Sequence, residues 1–191
     1  MKRAAAFAAA IAATLALAGA ACAGPKLESI GGHVGVGGAK LFVSDAPGGS
    51  LSASAGLDVP LLPDWRIGLD LGFHLLGGRN VERGSLAASV DYSQVDLLLM
   101  THWQPKGLGP VGRVSFGPGI VHGNAEVSAS GAAVAFEDLA RGENALGFGL
   151  DATLMSKRPM PVRVGLELSS RLGLLDEETW TLFGARLVFH F

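Results

Sequence analysis

The chain of 191 residues contains 28 glycines, is 49% hydrophobic and is only 17% charged. This balance excludes intrinsic disorder, which requires few apolar residues and many charges. The single cysteine excludes a disulfide framework or a cysteine-based metal site, and the net charge of −2 offers no basic patch for nucleic acid. The length suits one domain.

The first 23 residues have the layout of a secretory signal peptide. A start with two positive charges precedes an apolar run over 4–17, and Ala20 and Ala23 are candidate cleavage positions. A buried N-terminal helix is the alternative, but the run lacks a polar face. Cys22 is a poor lipoprotein cysteine, because the position three residues before it is not leucine. We therefore predict a signal peptide over 1–23 and a mature domain over 24–191.

The mature domain alternates between apolar and polar residues with a period of two. In four segments, every position of one register is apolar, whereas the other register is dominated by small, polar and charged residues. Strict alternation predicts strands, since a helix repeats near 3.6 residues. Similar segments bring the number of predicted strands to eight, with a bulge near 93–95: 30–43, 50–59, 67–76, 86–103, 110–123, 146–155, 162–169 and 179–191.

Two kinds of connection alternate between these strands. Short connections, mostly rich in proline, occupy 60–64, 105–110 and 156–159, whereas more polar ones occupy 44–49, 79–85, 124–143 and 176–178. Short turns at one end and polar loops at the other are typical of an up-and-down meander. We predict an all-β fold, an eight-stranded antiparallel up-and-down barrel.

The composition of the two registers indicates which one faces outward. A water-soluble barrel would carry dense charge on its outer face, but the polar register here is mostly glycine and serine. A transmembrane barrel places the leucine-rich register against lipid and the small residues in a narrow lumen. We therefore predict a transmembrane barrel with an apolar outer surface.

The predicted lumen register contains five acids and five arginines, which can neutralise one another away from water. Counting inward from the short-turn end, we predict that Glu167 and Arg186 form an ion pair, with Asp151 or Arg171 as substitutes if the register is shifted. The predicted lumen charge network is Asp58, Arg66, Asp70, Asp96, Arg113, Asp151, Arg163, Glu167, Arg171 and Arg186.

Aromatic residues cluster towards the strand ends, as expected where a barrel crosses the membrane interfaces. One predicted girdle contains Trp65, Trp103, Phe189 and Phe191, and the other contains Phe42 and Tyr92.

The last segment, 179–191, ends on phenylalanine with apolar residues at every second position. It resembles the closing strand of outer-membrane barrels, and the whole mature chain resembles the small barrels of the OmpA transmembrane-domain and OmpX kind. The resemblance implies a bacterial outer-membrane location and contact with outer-membrane lipid. It also implies recognition of Phe189 and Phe191 by the barrel-assembly machinery.

The sequence contains no phosphate-binding loop, nucleophile elbow, zinc-protease motif or acidic calcium loop. The five histidines lie on five predicted strands with no shared local spacing. Some small outer-membrane barrels are lipid A deacylases with a serine two residues after a histidine, but here Asn124 stands two residues after His122. We predict no catalytic residues, no metal site and no cofactor.

The favoured function is a structural anchor or interaction barrel whose loops face the exterior. The connection 124–143 is the candidate contact with an extracellular partner, although it could equally be a longer hairpin. The alternatives are binding or passage of a small apolar ligand, which the lumen charges disfavour, and a lipid-modifying enzyme.

Overall fold

The computed structural model describes residues 30–42, 50–83, 86–106, 110–131, 134–135, 139–156, 161–174 and 179–191. The predicted signal peptide over 1–23 lies outside these ranges. Within them, no helix is long and apolar enough to cross a membrane.

Eight long strands form a closed antiparallel barrel. Each long strand pairs with its sequence neighbour, and the first strand pairs with the last. An additional two-residue strand pairs with the end of β5. The predicted up-and-down barrel is therefore confirmed, with these strands: β1 Gly31–Phe42, β2 Ser50–Leu62, β3 Trp65–Arg83, β4 Leu86–Trp103, β5 Val111–Gly131, β6 Val134–Ala135, β7 Leu139–Met155, β8 Arg163–Leu174 and β9 Thr179–His190.

Side chains alternate between the outer surface and the lumen along every long strand. Leu69 is 55% exposed and Asp70 only 3%, and Leu150 and Asp151 repeat the contrast with 50% and 2%. A continuous apolar outer surface is suited to lipid rather than to water. The predicted assignment of the two registers is confirmed by exposed residues around the barrel: Val36, Leu57, Leu71, Leu97, Leu99, Leu166, Leu168 and Leu187.

The barrel has two unlike ends. The short-turn end contains the β2–β3, β4–β5 and β7–β8 connections, and Ile30 and Phe191 also lie there. At the other, long-hairpin end, β3, β4, β5 and β7 continue to lengths of 17 to 21 residues, against 12 or 13 in the remaining barrel strands.

The predicted loops over 79–85 and 124–143 are therefore largely strand. β3 continues to Arg83, which pairs with Leu86, and Val127 of β5 pairs with Leu139 of β7. Polar composition alone suggested loops, but cross-strand pairing satisfies the backbone there. The alternative of a longer hairpin is the correct one for 124–143.

The predicted bulge lies on a different strand. The register shifts on β3 between Leu75 and Gly78, where Gly77 adopts a φ of 73° that favours glycine. By contrast, β4 pairs with β5 without interruption from Tyr92 to Gln94. The change in apolar parity on β4 has another cause, which is an apolar region inside the lumen.

Candidate functional site in the lumen

The lumen holds a first polar cluster around Arg113, near the short-turn end. The Arg113 guanidinium donates to Asp58 Oδ2 at 3.0 Å and to His102 Nδ1 at 2.6 Å, and Ser115 Oγ accepts from its Nε at 3.1 Å. Asp58 also pairs with Arg66. The strands β2 and β5, which are far apart in the sequence, are thus joined through the buried carboxylate of Asp58.

Three histidines from three strands converge on this cluster. The His33 and His190 rings lie 5.4 Å apart, and Arg113 Nη1 lies 3.4 Å from His190 Nδ1. The sequence offered no spacing that would bring them together. Arg113 contacts two of them, His102 and His190, and within the described part of the chain no group of three or more histidine, cysteine or acidic residues could hold a metal ion.

A second buried cluster lies at the middle of the lumen and is centred on Arg171. The two terminal nitrogens of Arg171 donate to the two carboxylate oxygens of Asp151 at 2.5 and 3.0 Å, and Arg171 Nε donates to Asp96 at 3.3 Å. Arg186 lies between Asp151 at 3.7 Å and Glu167 at 2.7 Å. Two arginines and three carboxylates therefore form one connected network across the lumen.

Glycine on the neighbouring strand makes room for many of these charges. Asp96 is paired in register with Gly72, and Asp58 is paired with Gly68. A Cβ at Gly72 would lie 2.5 Å from an Asp96 oxygen, and one at Gly68 would lie 2.7 Å from the Asp58 Cβ. The high glycine content thus serves to fit charged side chains into a narrow barrel.

Eight of the ten residues predicted for the lumen charge network are buried. The two others, Arg66 and Arg163, lie at the short-turn mouth, where Arg66 is partly buried and Arg163 is exposed. The buried eight are Asp58, Asp70, Asp96, Arg113, Asp151, Glu167, Arg171 and Arg186.

Sequence reasoning missed a hydrogen-bonded chain of Ser52, His74 and Asp96. Ser52 Oγ lies 2.9 Å from His74 Nδ1, and His74 Nε2 lies 2.7 Å from Asp96 Oδ2. The three residue types are those of a serine hydrolase triad, but all three side chains are buried inside the barrel. The serine hydroxyl is therefore closed to a substrate, and the chain contributes to the polar network.

An apolar plug fills the lumen towards the long-hairpin end. It consists of Ala39, Leu41, Leu76, Trp180 and Leu182, with Tyr92 packed against it. The Tyr92 and Trp180 rings meet edge to face at 6.0 Å. The prediction that Tyr92 belongs to the outer girdle is wrong, since its position on β4 directs it inward.

The other predicted aromatic residues lie at the strand ends. At the short-turn end, the Trp65 and Trp103 rings stack at 5.9 Å, and Phe116 meets Trp65 edge to face at 6.4 Å. Towards the long-hairpin end, Phe42 and Phe183 meet at 5.3 Å. These contacts place outward aromatic groups at two levels of the barrel.

The end of the last segment closes the barrel against its beginning. The main chains of Gly32 and Phe191 exchange two hydrogen bonds, at 3.0 and 3.1 Å. A Cβ at Gly32 would lie 2.7 Å from the Phe191 ring, so this ring sits directly on the first strand. Phe189 is half-buried one register step away and pairs with Val34.

No protein-family model matches the chain, and no curated protein sequence matches it. Solved structures do match. The chain has the fold of the small outer-membrane β-barrels. Ail of Yersinia pestis aligns with a TM-score of 0.58 and 14% identity, over 86% of this chain and 99% of that one. Ail in complex with the heparin analogue sucrose octasulfate aligns with a TM-score of 0.59 and 15% identity, over 85% and 99%.

Two further barrels support the same fold. Neisserial surface protein A aligns with a TM-score of 0.57 and 13% identity, over 84% of this chain and 95% of that one. A major outer membrane protein of Thermus thermophilus aligns with a TM-score of 0.56 and 14% identity, over 86% and 100%. The similarity extends over nearly the whole described barrel, and at these identities it is a similarity of fold.

Proposed function

We propose that this protein is a non-catalytic barrel of the bacterial outer membrane that anchors an interaction surface on the cell exterior. In this proposal, residues 1–23 direct export, the assembly machinery reads Phe189 and Phe191, and the lumen charge network holds the barrel closed and rigid. The observation that carries the proposal is the one-sided extension of four adjacent strands beyond the length that a membrane requires.

A transmembrane strand needs about 9–11 residues. The strands β3, β4, β5 and β7 are neighbours in the barrel, and β5 alone has 21 residues, so about ten of them are surplus. The surplus lies at the long-hairpin end, because Trp65 and Trp103 mark the short-turn end of β3 and β4. We call this extension the projecting sheet, defined as residues 75–83, 86–93, 123–131 and 139–145.

The projecting sheet has two open edges within the described residues. β2 pairs with β3 only as far as His74, and β8 pairs with β7 only from Leu146 onward. The backbone of 75–83 and that of 139–145 therefore each have one side to which no described strand is paired. Such edges accept an added strand from another protein through main-chain hydrogen bonds.

Charge favours a polypeptide over a polyanion as the partner. The segment 124–143, which forms the tallest hairpin, contains four acids against one arginine. A sulfated sugar such as the one bound to Ail would be repelled by this balance. A protein segment with an extended backbone and no excess of acidic residues fits the open edges and their charge.

Epitope tags test which end of the barrel faces the exterior. A tag inserted between Ala132 and Ala133 should be labelled by antibody on intact cells. The matched tag within 107–109, at the short-turn end, should be labelled only after the outer membrane is permeabilised. The reverse pattern would overturn the proposed orientation, and recovery of both tags outside the outer-membrane fraction would overturn the location.

Shortening the hairpin tests the interaction surface itself. Asn124 and Gly142 are register partners, so 125–141 can be replaced by a two-residue Asn-Gly turn that preserves the pairing below it. We expect this variant to keep heat-modifiable gel migration, while cross-linking on intact cells loses the protein partners captured by the full-length chain. An unchanged set of cross-linked partners would contradict the role of the hairpin.

A further inference from the structure

The short-turn mouth of the lumen contains a polar cavity of about 200 Å³. Its polar lining consists of Asp58, Arg66, Gln104, Arg113, Arg163 and His190. Arg113 and His190 are buried beneath it, and Arg163 stands exposed at its edge. The cavity is therefore a small pocket with buried polar side chains at its base and a positively charged side chain at its opening.

The charges around the cavity do not cancel. Among the described residues that line it, three arginines face one carboxylate, and Asp58 is bound by both Arg66 and Arg113. Within the described part of the chain, Arg163 has no carboxylate partner. The described lining residues thus have a formal net charge of +2. A free carboxylate on Phe191, whose main-chain oxygen accepts a hydrogen bond from Gly32, would lower this net charge to +1 and leave it positive.

A second observation points to a ligand. His190 is a buried side chain that lines the cavity, and its Nε2 has no hydrogen-bond partner among the residues that the structure describes. Its other ring nitrogen faces Arg113, at 3.4 Å from Nη1. A ligand oxygen admitted by a small rotation of this ring could accept a hydrogen bond from the nitrogen, which would satisfy a polar atom that is otherwise buried without compensation.

We propose that the short-turn mouth binds an oxyanion of the phosphate class. Arg163 contributes charge and directed donors, Arg66 adds positive charge, and the buried His190 ring lies beneath them. Tetrahedral oxyanions match these donors because guanidinium groups bind phosphate oxygens in pairs. The proposal concerns the end of the barrel opposite the projecting sheet and does not depend on the proposed interaction surface.

The outer surface beside the mouth indicates a lipid source for this phosphate. An apolar groove of about 490 Å³ crosses the lipid face of β1–β4, where the small side chain of Ala55 lies among leucines. Ile30, Asp58 and Phe191 line both the groove and the mouth cavity. An acyl chain in the groove would bring the headgroup phosphate of a phospholipid to the mouth, whereas free phosphate would occupy the mouth alone.

Binding is measured on the full-length barrel with two probes. Inorganic phosphate is titrated against detergent-solubilised protein by ³¹P NMR line broadening. Phosphatidylglycerol retained from mixed phosphatidylethanolamine–phosphatidylglycerol nanodiscs is quantified by native mass spectrometry. Arg163→Gln should weaken binding of at least one probe about tenfold, as expected for the loss of a charge-assisted contact.

Two control variants show which part of the surface is responsible for a change in binding. Lys106→Gln removes the same charge from the same end of the barrel, but Lys106 pairs with Asp64 at 2.8 Å outside the cavity, so binding should be unchanged. Ala55→Phe fills the groove, so it should reduce only retention of phospholipid. Heat-modifiable migration confirms that each variant is folded.

The results distinguish a bound phospholipid from free phosphate, and they also show when the proposal is wrong. Loss of lipid retention in Arg163→Gln and Ala55→Phe identifies a bound phospholipid. Loss of phosphate binding in Arg163→Gln alone identifies free phosphate. Absence of binding in the unmodified barrel, or equal effects of Arg163→Gln and Lys106→Gln, would overturn the proposal.

Discussion

Glu167 and Arg186 are direct register partners on β8 and β9, and both side chains are buried in the lumen. Arg186 donates from Nε to Glu167 Oε1 at 3.1 Å, and its Nη2 lies 2.7 Å from the same oxygen. Thr153 donates to the other carboxylate oxygen at 3.3 Å. The pair therefore links three consecutive strands of the barrel.

Breaking this pair should destabilise the barrel more than breaking an exposed pair. Glu167→Ala leaves Arg186 buried without its nearest carboxylate, which should cost about 3–5 kcal/mol of unfolding free energy. The measurement is a double-mutant cycle by urea unfolding in lipid vesicles. In the exposed pair Asp64–Lys106 the charged atoms lie 2.8 Å apart, close to the 2.7 Å of the buried pair. Its coupling energy should be below about 1 kcal/mol. Equal coupling energies in the two cycles would contradict a dry lumen pair.

The two faces of β3 should differ in their tolerance of charge and polarity. Leu69→Arg places a cation against lipid and should cost about 2–4 kcal/mol if the residue lies near the bilayer midplane. Asp70→Asn preserves shape inside the lumen and should cost less. Leu150→Arg and Asp151→Asn repeat the comparison on β7, although Asp151→Asn also weakens the contact with Arg171. Equal losses on both faces of β3, measured by vesicle unfolding, would contradict the transmembrane assignment.

Deletion of Phe191 should impair assembly. The residue supplies the final main-chain pairing with Gly32 and a ring packed on that glycine, and we propose that the assembly machinery recognises it. We expect unfolded or degraded protein in the periplasm, measured by fractionation and heat-modifiable migration. The control is Phe183→Ala, which removes an outward aromatic ring from the same strand. Normal assembly without Phe191 would count against its role as a signal.

Removal of Trp180 should loosen the apolar plug. Its ring reaches across the lumen towards Gly123 of β5, where an added Cβ would lie 2.8 Å from it. Trp180→Ala should cost about 3–5 kcal/mol through lost burial and a residual cavity, and Trp180→Phe should cost less. The measurement is vesicle unfolding followed by changes in far-ultraviolet circular dichroism. A neutral alanine variant would mean that the plug contributes no stability.

Substitution of a single lumen glycine should disturb the charge network. At Gly72, a methyl group would lie 2.5 Å from an Asp96 oxygen, so Gly72→Ala should displace Asp96 from His74 and Arg171 and lower stability. The matched control is Gly173→Ala, also directed inward, where the nearest atom would lie 3.3 Å away. Identical unfolding midpoints for the two variants would show that the lumen has spare room at Gly72.

Periodicity was sufficient to predict the strands and their outer face. Each strand has one face against lipid and one against the lumen, so alternation appears directly in the residues and survives any error in strand length. Counting from the short-turn end also gave the shared depth of Glu167 and Arg186, because adjacent antiparallel strands joined by one connection have a nearly determined register.

The same pattern could not determine where strands end or which residues fill the lumen at each level. The hairpins of the projecting sheet contain many small and polar residues, so they resemble loops in composition. Tyr92 resembles a girdle residue because the lumen becomes apolar at its depth, and only the neighbouring strands reveal this.

Convergence across the barrel was decided by tertiary structure alone. His33, His102 and His190 meet at Arg113, and Ser52, His74 and Asp96 form a chain, because closure of the sheet brings inward positions of separate strands to one depth. The alternating sequence determined the direction in which each side chain points. Strand register and barrel closure determined which side chains meet, since these depend on the pairing of every strand around the ring.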